Sequence, residues 1–381
     1  MSIVSITACA IDVGFQKQSL QTTRVASPMS KFPRFAEKRS SWMWPTKKVF
    51  LRIEASDGHV GWSCTNGGEI VEAIINDGLA RLLIGEDPEQ IEALWEQSVA
   101  ALLPNDRSGF AMMAVAALDI ALWDLRVNAQ GQPLVKLLGG VKRETLPVYV
   151  TTSQPEAFAT HTGLGGLKAA APYGPEAGDD GLQANIALLR RFAEAAGHDT
   201  PVMIDAFMAW DADYTLRFAE AARDLPLAWI EDPLPPSDID GMVKVRREMD
   251  PQITLALGNF AYSRADCAEL VHHGLPGILQ PDVAWAGGIT EALRILDLAE
   301  KADVPVILHN TCEQPWALAI AAACQTDALV EYVDRGPNSP LYSLMGPGPA
   351  IDRGTVTAPI SASGNTPPDF AHTACANLRG M

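Results

Sequence analysis

Seven polar residues recur through the C-terminal two thirds of the chain: Lys168, Asp205, Glu231, Asn259, Asp282, His309 and Glu331. From Asp205 onward the successive positions lie 22 to 28 residues apart. Several of them end a short apolar run, as in Pro201-Val-Met-Ile-Asp205, Leu227-Ala-Trp-Ile-Glu231 and Val304-Pro-Val-Ile-Leu-His309. Asp205, Glu231 and Asn259 are hard oxygen donors of the kind that Mg²⁺ takes, with coordination positions left for water and substrate. Carboxylates gathered in one place repel each other unless a cation neutralises them. Asp282 and His309 suit a second task. A carboxylate on one ring nitrogen fixes the tautomer and raises the basicity of the other, which makes His309 a candidate general base. Removing a proton next to a carboxylate creates an enediolate with two negative charges, and a divalent ion on its oxygens relieves that charge. Metal ligands and base therefore read as parts of one mechanism.

The elements that must carry these residues follow from their spacing. Runs at 146–151, 166–171, 202–205, 229–231, 254–258, 277–281, 304–309 and 329–333 are too short for helices and dense enough for strands buried on both faces. Helical patterns at 181–196, 214–223, 239–248, 264–272, 290–302 and 317–323 fill most of the gaps. This alternation predicts about eight βα units and favours a closed (β/α)8 barrel, in which active sites sit at the C-terminal ends of the strands. Before it, alternating residues from Val4 to Asp12, a strand pair at 48–54 and 60–64 around the turn Ala55-Ser-Asp-Gly58, and helical patterns at 70–82, 88–103 and 112–127 predict a separate α+β lobe. The segment from Gln16 to Arg39 reads as a basic loop, followed by Trp42 and Trp44. The expected division is an α+β capping domain over residues 1–125, a barrel over 126–355 and a C-terminal segment, 356–381, that packs back on the capping domain.

Bulk properties narrow the partners. With 381 residues, 48% of them hydrophobic and 20% charged, the chain can bury a large core. A net charge of −17 argues against nucleic acid or an anionic membrane as partner. An anionic substrate then needs a local positive centre. The six cysteines are scattered without a CxxC pair and read as reduced thiols of a cytoplasmic protein. No apolar run approaches the ~20 residues of a membrane span, and the N-terminus lacks the pattern of a signal peptide.

Taken together, these residues resemble the enolase superfamily, mandelate racemase subgroup, over nearly the whole chain. More narrowly, Ser27-Pro-Met-Ser-Lys31, Arg39-Ser-Ser-Trp42, Ala117-Leu-Asp-Ile-Ala-Leu-Trp-Asp124, Lys136-Leu-Leu-Gly-Gly140, Trp229-Ile-Glu231, Leu234-Pro-Pro236 and Gln280-Pro-Asp282-Val-Ala-Trp285-Ala-Gly-Gly288 are similar to L-rhamnonate dehydratases. The resemblance implies a modified (β/α)8 TIM barrel of the α/β class under an N-terminal α+β capping domain completed by the C-terminal tail. It implies Mg²⁺ on Asp205, Glu231 and the position of Asn259, with His309 as base and Asp282 as its orienting partner. Glu331 corresponds to an acid that contacts the reacting region. Arg39, Lys168 and Trp285 are expected beside the substrate, and the family forms homo-oligomers.

Three departures qualify this picture. Asn259 stands where the family has a Glu in a Gly-Glu-His context, and one negative charge fewer weakens metal binding. Lys168-Ala-Ala170 lacks the second lysine that racemases carry at the end of strand two. No histidine occurs between Gln16 and Lys31, where L-rhamnonate dehydratases have one. The expectation is an Mg²⁺-dependent acid-sugar dehydratase acting on an aldonate such as L-rhamnonate, L-mannonate or L-lyxonate. The competing readings are an acid-sugar racemase or epimerase, disfavoured by the missing lysine, and a sugar-acid binding protein with a weakened metal site.

Overall fold

The computed structural model describes residues 1–12, 24–36, 47–197, 200–324, 329–335 and 348–359. Three strands, β1 (Ile3–Asp12), β2 (Lys47–Ala55) and β3 (Val60–Thr65), form an antiparallel sheet in that order. The β2–β3 turn is made by Gly58, whose φ of 87° only glycine adopts readily. A helical run follows as α1 (Gly68–Ala73), a π-helical stretch (Ile74–Leu79) and α2 (Ala80–Leu83). Next come α3 (Ile91–Leu102) and α4 (Gly109–Gln130).

Helix α4 is apolar almost all round because it is buried on both sides. On one side it lies against β3, where a side chain at Gly61 would meet the Ala121 carbonyl at 2.0 Å. Asp124 accepts from the Trp62 N–H at 2.7 Å and the Ser63 hydroxyl donates to the Ala117 carbonyl. The helix runs through residue 125, the expected domain boundary, and ends at Gln130.

The second unit is a curled parallel sheet. Its strands are β4 (Thr145–Thr151), β5 (Gly166–Ala170), β6 (Val202–Asp205), β7 (Leu227–Glu231), β8 (Thr254–Leu257), β9 (Ile278–Leu279) and β10 (Val330–Val333). The hydrogen-bonded order is β10-β4-β5-β6-β7-β8-β9, and a parallel bridge from Leu279 to Val306 adds the segment 304–309. Across the seam between that segment and β10, the Asn310 N–H donates to Glu331 Oε2 at 2.8 Å and the Glu331 N–H to Thr311 Oγ1 at 3.5 Å. The helices α6 (Gly178–Ala196), α7 (Ala212–Ala221), α8 (Ile239–Glu248), α9 (Arg264–His272), α10 (Gly288–Lys301) and α11 (Pro315–Cys324) cover the outside, after a short α5 (Leu134–Leu137). Between β4 and β5 stands only a 3-10 turn, Pro155–Phe158. The expected capped and modified barrel is borne out.

Strand alternation decides what enters the barrel. Val148, Val150, Leu167, Ala169, Val202, Ile204, Ile230, Leu255 and Leu257 pack in the outer core beneath the helices. Tyr149, Met203, Trp229, Ala256 and Ile307 form a separate inner cluster. Lys168, Asp205, Glu231 and Glu331 each follow an outward residue, so parity turns them inward.

β11 (Thr355–Thr357) pairs antiparallel with the start of β4, and the Ala358 N–H donates to the Glu144 carbonyl. The described start of the C-terminal segment thus pairs with the start of β4, where the edge at Thr145–Pro147 offers it backbone partners, and residues 360–381 lie outside the described ones. The two units are joined through the turn that precedes α10. Thr65 donates to the Ala284 carbonyl at 2.6 Å and Trp95 Nε1 to the Gly287 carbonyl at 2.7 Å. Asp119 accepts from the Thr290 N–H at 3.0 Å and from its hydroxyl, in the manner of a helix cap supplied by another domain. Gly288, at φ 92°, leaves room for that carboxylate.

Candidate active site

At the C-terminal mouth of the barrel one cation faces several carboxylates. Lys168 Nζ lies 2.8 and 2.7 Å from the two oxygens of Glu231 and 2.9 Å from Glu331 Oε1. The three side chains are buried, at 1%, 0% and 2% exposure. Burial opposes a charge on Lys168, but Glu231 and Glu331 override it and hold the ammonium well above the usual lysine range. Its three N–H donors are all engaged within the barrel. Lys168, expected beside the substrate, balances the charge of Glu231 and Glu331 in this structure. Glu331 also accepts from the Thr151 hydroxyl at 2.5 Å and from the Asn310 N–H. Burial works against its ionisation, yet Lys168 and His309 pull it down to about 2. Both Glu331 oxygens therefore hold neighbours in place, and neither is presented as a free proton acceptor.

The expected metal ligands come together at the ends of β6, β7 and β8, where Asp205 pairs in register with Glu231 and Glu231 with Ala256. Asp205 Oδ1 accepts from the Phe207 N–H at 2.9 Å, and Phe207 and Met208 turn through positive φ immediately afterwards. Burial and then the charge of Glu231 push Asp205 up to about 7. Asn259 Nδ2 lies 3.4 Å from Glu231 Oε1, and its Oδ1 is buried without a hydrogen-bond partner. Asp232, at φ 38°, is 4% exposed with an unpartnered Oδ2. Burial, Glu231 and Asp205 raise it well above the carboxylate range.

A divalent cation fits this donor set. An orphaned amide oxygen and mutually repelling buried carboxylates are the groups that such an ion satisfies. The fit is an incomplete one. Among the described residues no three His, Cys, Asp or Glu side chains converge as a ligand group, because the third position is an amide and Lys168 occupies Glu231.

His309 and Asp282 meet as expected, with Nδ1 2.8 Å from Asp282 Oδ2. Asp282 is fixed by the Ala284 N–H at 2.8 Å and by Gln314 Nε2 at 3.0 Å, both on Oδ1. Burial disfavours an imidazolium, but the hydrogen bond to Asp282 and the charge of Glu331 outweigh it and push His309 up to about 9. Among the described residues no hydrogen bond engages Nε2, which leaves it as the nitrogen for proton transfer. Trp285, expected to touch substrate, is 4% exposed and packs its ring 5.1 Å from the imidazole and 6.1 Å from Phe260. It forms the wall behind the base. Arg39 lies outside the described residues.

Sequence reasoning missed Gln314, Asp232, Gln280, Thr151 and Asn310. Gln280 is buried, with Oε1 unpartnered and Nε2 3.5 Å from the Tyr149 hydroxyl. Asp232 directly follows Glu231, and its polarity inside an apolar stretch was a usable signal. Gln314 carried none, since it sits in a loop after the strand.

Comparison with known proteins shows the family. Residues 157–364 match the enolase C-terminal domain-like family and residues 40–139 the N-terminal domain of mandelate racemase / muconate lactonizing enzyme. The chain is 36% identical over 288 residues to an L-rhamnonate dehydratase of Saccharopolyspora erythraea, covering 75% of this chain and 74% of that protein. The crystal structure of an L-rhamnonate dehydratase from Gibberella zeae superposes with a TM-score of 0.90 at 29% identity, over 100% of this chain and 98% of that one. The L-talarate/galactarate dehydratase of Salmonella typhimurium LT2, solved with Mg and L-lyxarohydroxamate, superposes at 0.77 with 26% identity, over 97% and 91%.

Proposed function

Since the chain belongs to the enolase superfamily and carries the mandelate racemase-type N-terminal domain, we propose that it dehydrates an acid sugar to a 2-keto-3-deoxy acid with Mg²⁺ as cofactor. The observation that carries this reading is the His309–Asp282 pair standing beside the Asp205, Glu231 and Asn259 oxygens. A similar Gibberella zeae rhamnonate dehydratase, TM-score 0.88, was solved with Mg, which supports the cofactor. Aldonates such as L-rhamnonate, L-mannonate or L-lyxonate are the proposed substrates.

Asp205, Glu231 and Asn259 Oδ1 would hold the ion. When bound, it supplies positive charge at the substrate carboxylate and so acidifies the adjoining carbon. His309 Nε2 takes the proton from carbon 2, and the imidazolium that forms is stabilised by Asp282. The same imidazolium returns its proton to the hydroxyl leaving carbon 3, so water departs and His309 is neutral again. The resulting enol tautomerises to the 2-keto acid. Ala170 stands where a second base would be needed for racemisation; it pairs with Asp205 at the end of β5. One proton-transfer group on one face suits syn elimination.

An aldonate panel with Mg²⁺ or EDTA, read by semicarbazide-reactive product, tests the activity. Product from at least one member that EDTA abolishes is expected. Solvent deuterium entering carbon 2 without loss of water would turn the assignment to an epimerase, and no product from any member would sink the dehydratase. Asn259→Glu adds a carboxylate next to a divalent ion, an interaction above ~1.4 kcal/mol even at an effective dielectric near 20. Mg²⁺ affinity by calorimetry should rise at least about tenfold; an unchanged constant would remove Asn259 from the ligand set.

A further inference from the structure

Three residues past β9, Asp282 must present one oxygen to His309 and keep the other occupied. Its Oδ1 receives two donors, the Ala284 N–H and the Gln314 amide. The orientation of that amide is dictated in turn by Trp316, whose Nε1–H lies 2.8 Å from Gln314 Oε1. An indole N–H only donates, so the oxygen of Gln314 must face Trp316 and the NH₂ must face Asp282. The order of donation is then fixed along the whole row, from Trp316 to Gln314 to Asp282 Oδ1. Only Oδ2 remains, and it accepts from His309 Nδ1–H. The Asn310 side-chain amide also lies against this nitrogen, 3.2 Å away.

We infer that Gln314 is a positioning residue for His309: its amide locks Asp282 so that the imidazole keeps its proton on Nδ1 and leaves Nε2 for substrate. Gln314 is 7% exposed, comes from the loop before α11, and touches Asp282 rather than the reacting atoms. The inference rests on the reading of His309 as base. Partners of metal-binding and catalytic groups that act at this remove typically change activity 10- to 100-fold when lost.

Two variants of the Mg²⁺-loaded enzyme separate positioning from packing. Gln314→Glu keeps the shape and still accepts from Trp316, but it offers Asp282 no donor and adds a negative charge. Gln314→Leu removes donor and acceptor together. Both are expected to lose about 10- to 100-fold in kcat, with KM and Mg²⁺ affinity within about twofold of the parent.

The pH dependence supplies the readout that packing alone would not move. His309 acts as base only when neutral, so kcat/KM rises with pH towards its pKa. The groups facing it are Asp282, Glu331, Lys168, Asp205 and Asp232. An additional anion beside Asp282 favours the imidazolium, so the Gln314→Glu limb should lie at higher pH. Ring ¹⁵N shifts of His309 should show the Nδ1–H tautomer in the parent and a mixture in Gln314→Leu.

Parent-like kcat, or a fall in kcat with limb and tautomer unmoved, would overturn the inference. The tautomer readout needs no turnover. If His309→Asn stays active while the Gln314 variants still shift the tautomer, the base assignment fails and the positioning stands.

Discussion

His309→Asn should lower kcat by about 10³-fold or more, towards the upper end of what a positioned general base contributes. In the proposed mechanism one imidazole both removes the carbon-2 proton and returns it to the leaving hydroxyl, so its loss touches both halves of the reaction. Asparagine keeps a polar group of similar reach near Asp282 Oδ2, and the variant should fold normally. Mg²⁺ affinity should be unchanged, because His309 makes no hydrogen bond to Asp205, Glu231 or Asn259 among the described residues. Steady-state kinetics and calorimetry on one preparation check both statements. Turnover at the parent's rate would refute the base, and lost metal affinity would relocate the role of His309 to the ligand set. In the proposed mechanism neutral His309 is the active form, and its pKa is pushed up to about 9. Hence kcat/KM should climb through neutrality instead of levelling there.

Lys168→Met is expected to cost about 3–5 kcal/mol of stability, the range for removing one partner of a buried charge network. Its removal takes the single ammonium from between Glu231 and Glu331 while Asp205 and Asp232 remain nearby. Methionine fills much of the stem's volume, so the loss reports charge rather than a cavity. Urea unfolding in EDTA should show the full deficit. Saturating Mg²⁺ should stabilise the variant more than the parent, because loss of the ammonium frees Glu231 for the ion and the added stability grows with the logarithm of the Mg²⁺ concentration over its dissociation constant. An unfolding midpoint equal to the parent's in EDTA would mean that Lys168 is not the counter-charge.

Much of the architecture could be read from periodicity. Short apolar runs ending in Asp205, Glu231 and His309 marked both the barrel and its functional end. Strand alternation then carried those side chains inward without further information. Pairings between charges were harder to see. Lys168 was visible as a lone lysine near acids, but only the register of β5 beside β6 and β7 brings it onto both oxygens of Glu231. Glu331 was legible as an acid near the reaction, yet its contacts to Thr151 and to the Asn310 backbone depend on how the last strand closes the barrel. Trp285 is expected beside the substrate only through the resemblance of the Gln280–Gly288 motif, and its place against the imidazole follows from the turn after Asp282.

The turn from Asp282 to Thr290 carries the base's carboxylate at one end and the junction between the two units at the other. Thr65, Trp95 and Asp119 grip its backbone within nine residues of Asp282. A hinge placed here would pull the dyad apart each time the mouth widened. At this edge the capping lobe thus fixes the same short turn that supplies the carboxylate facing His309.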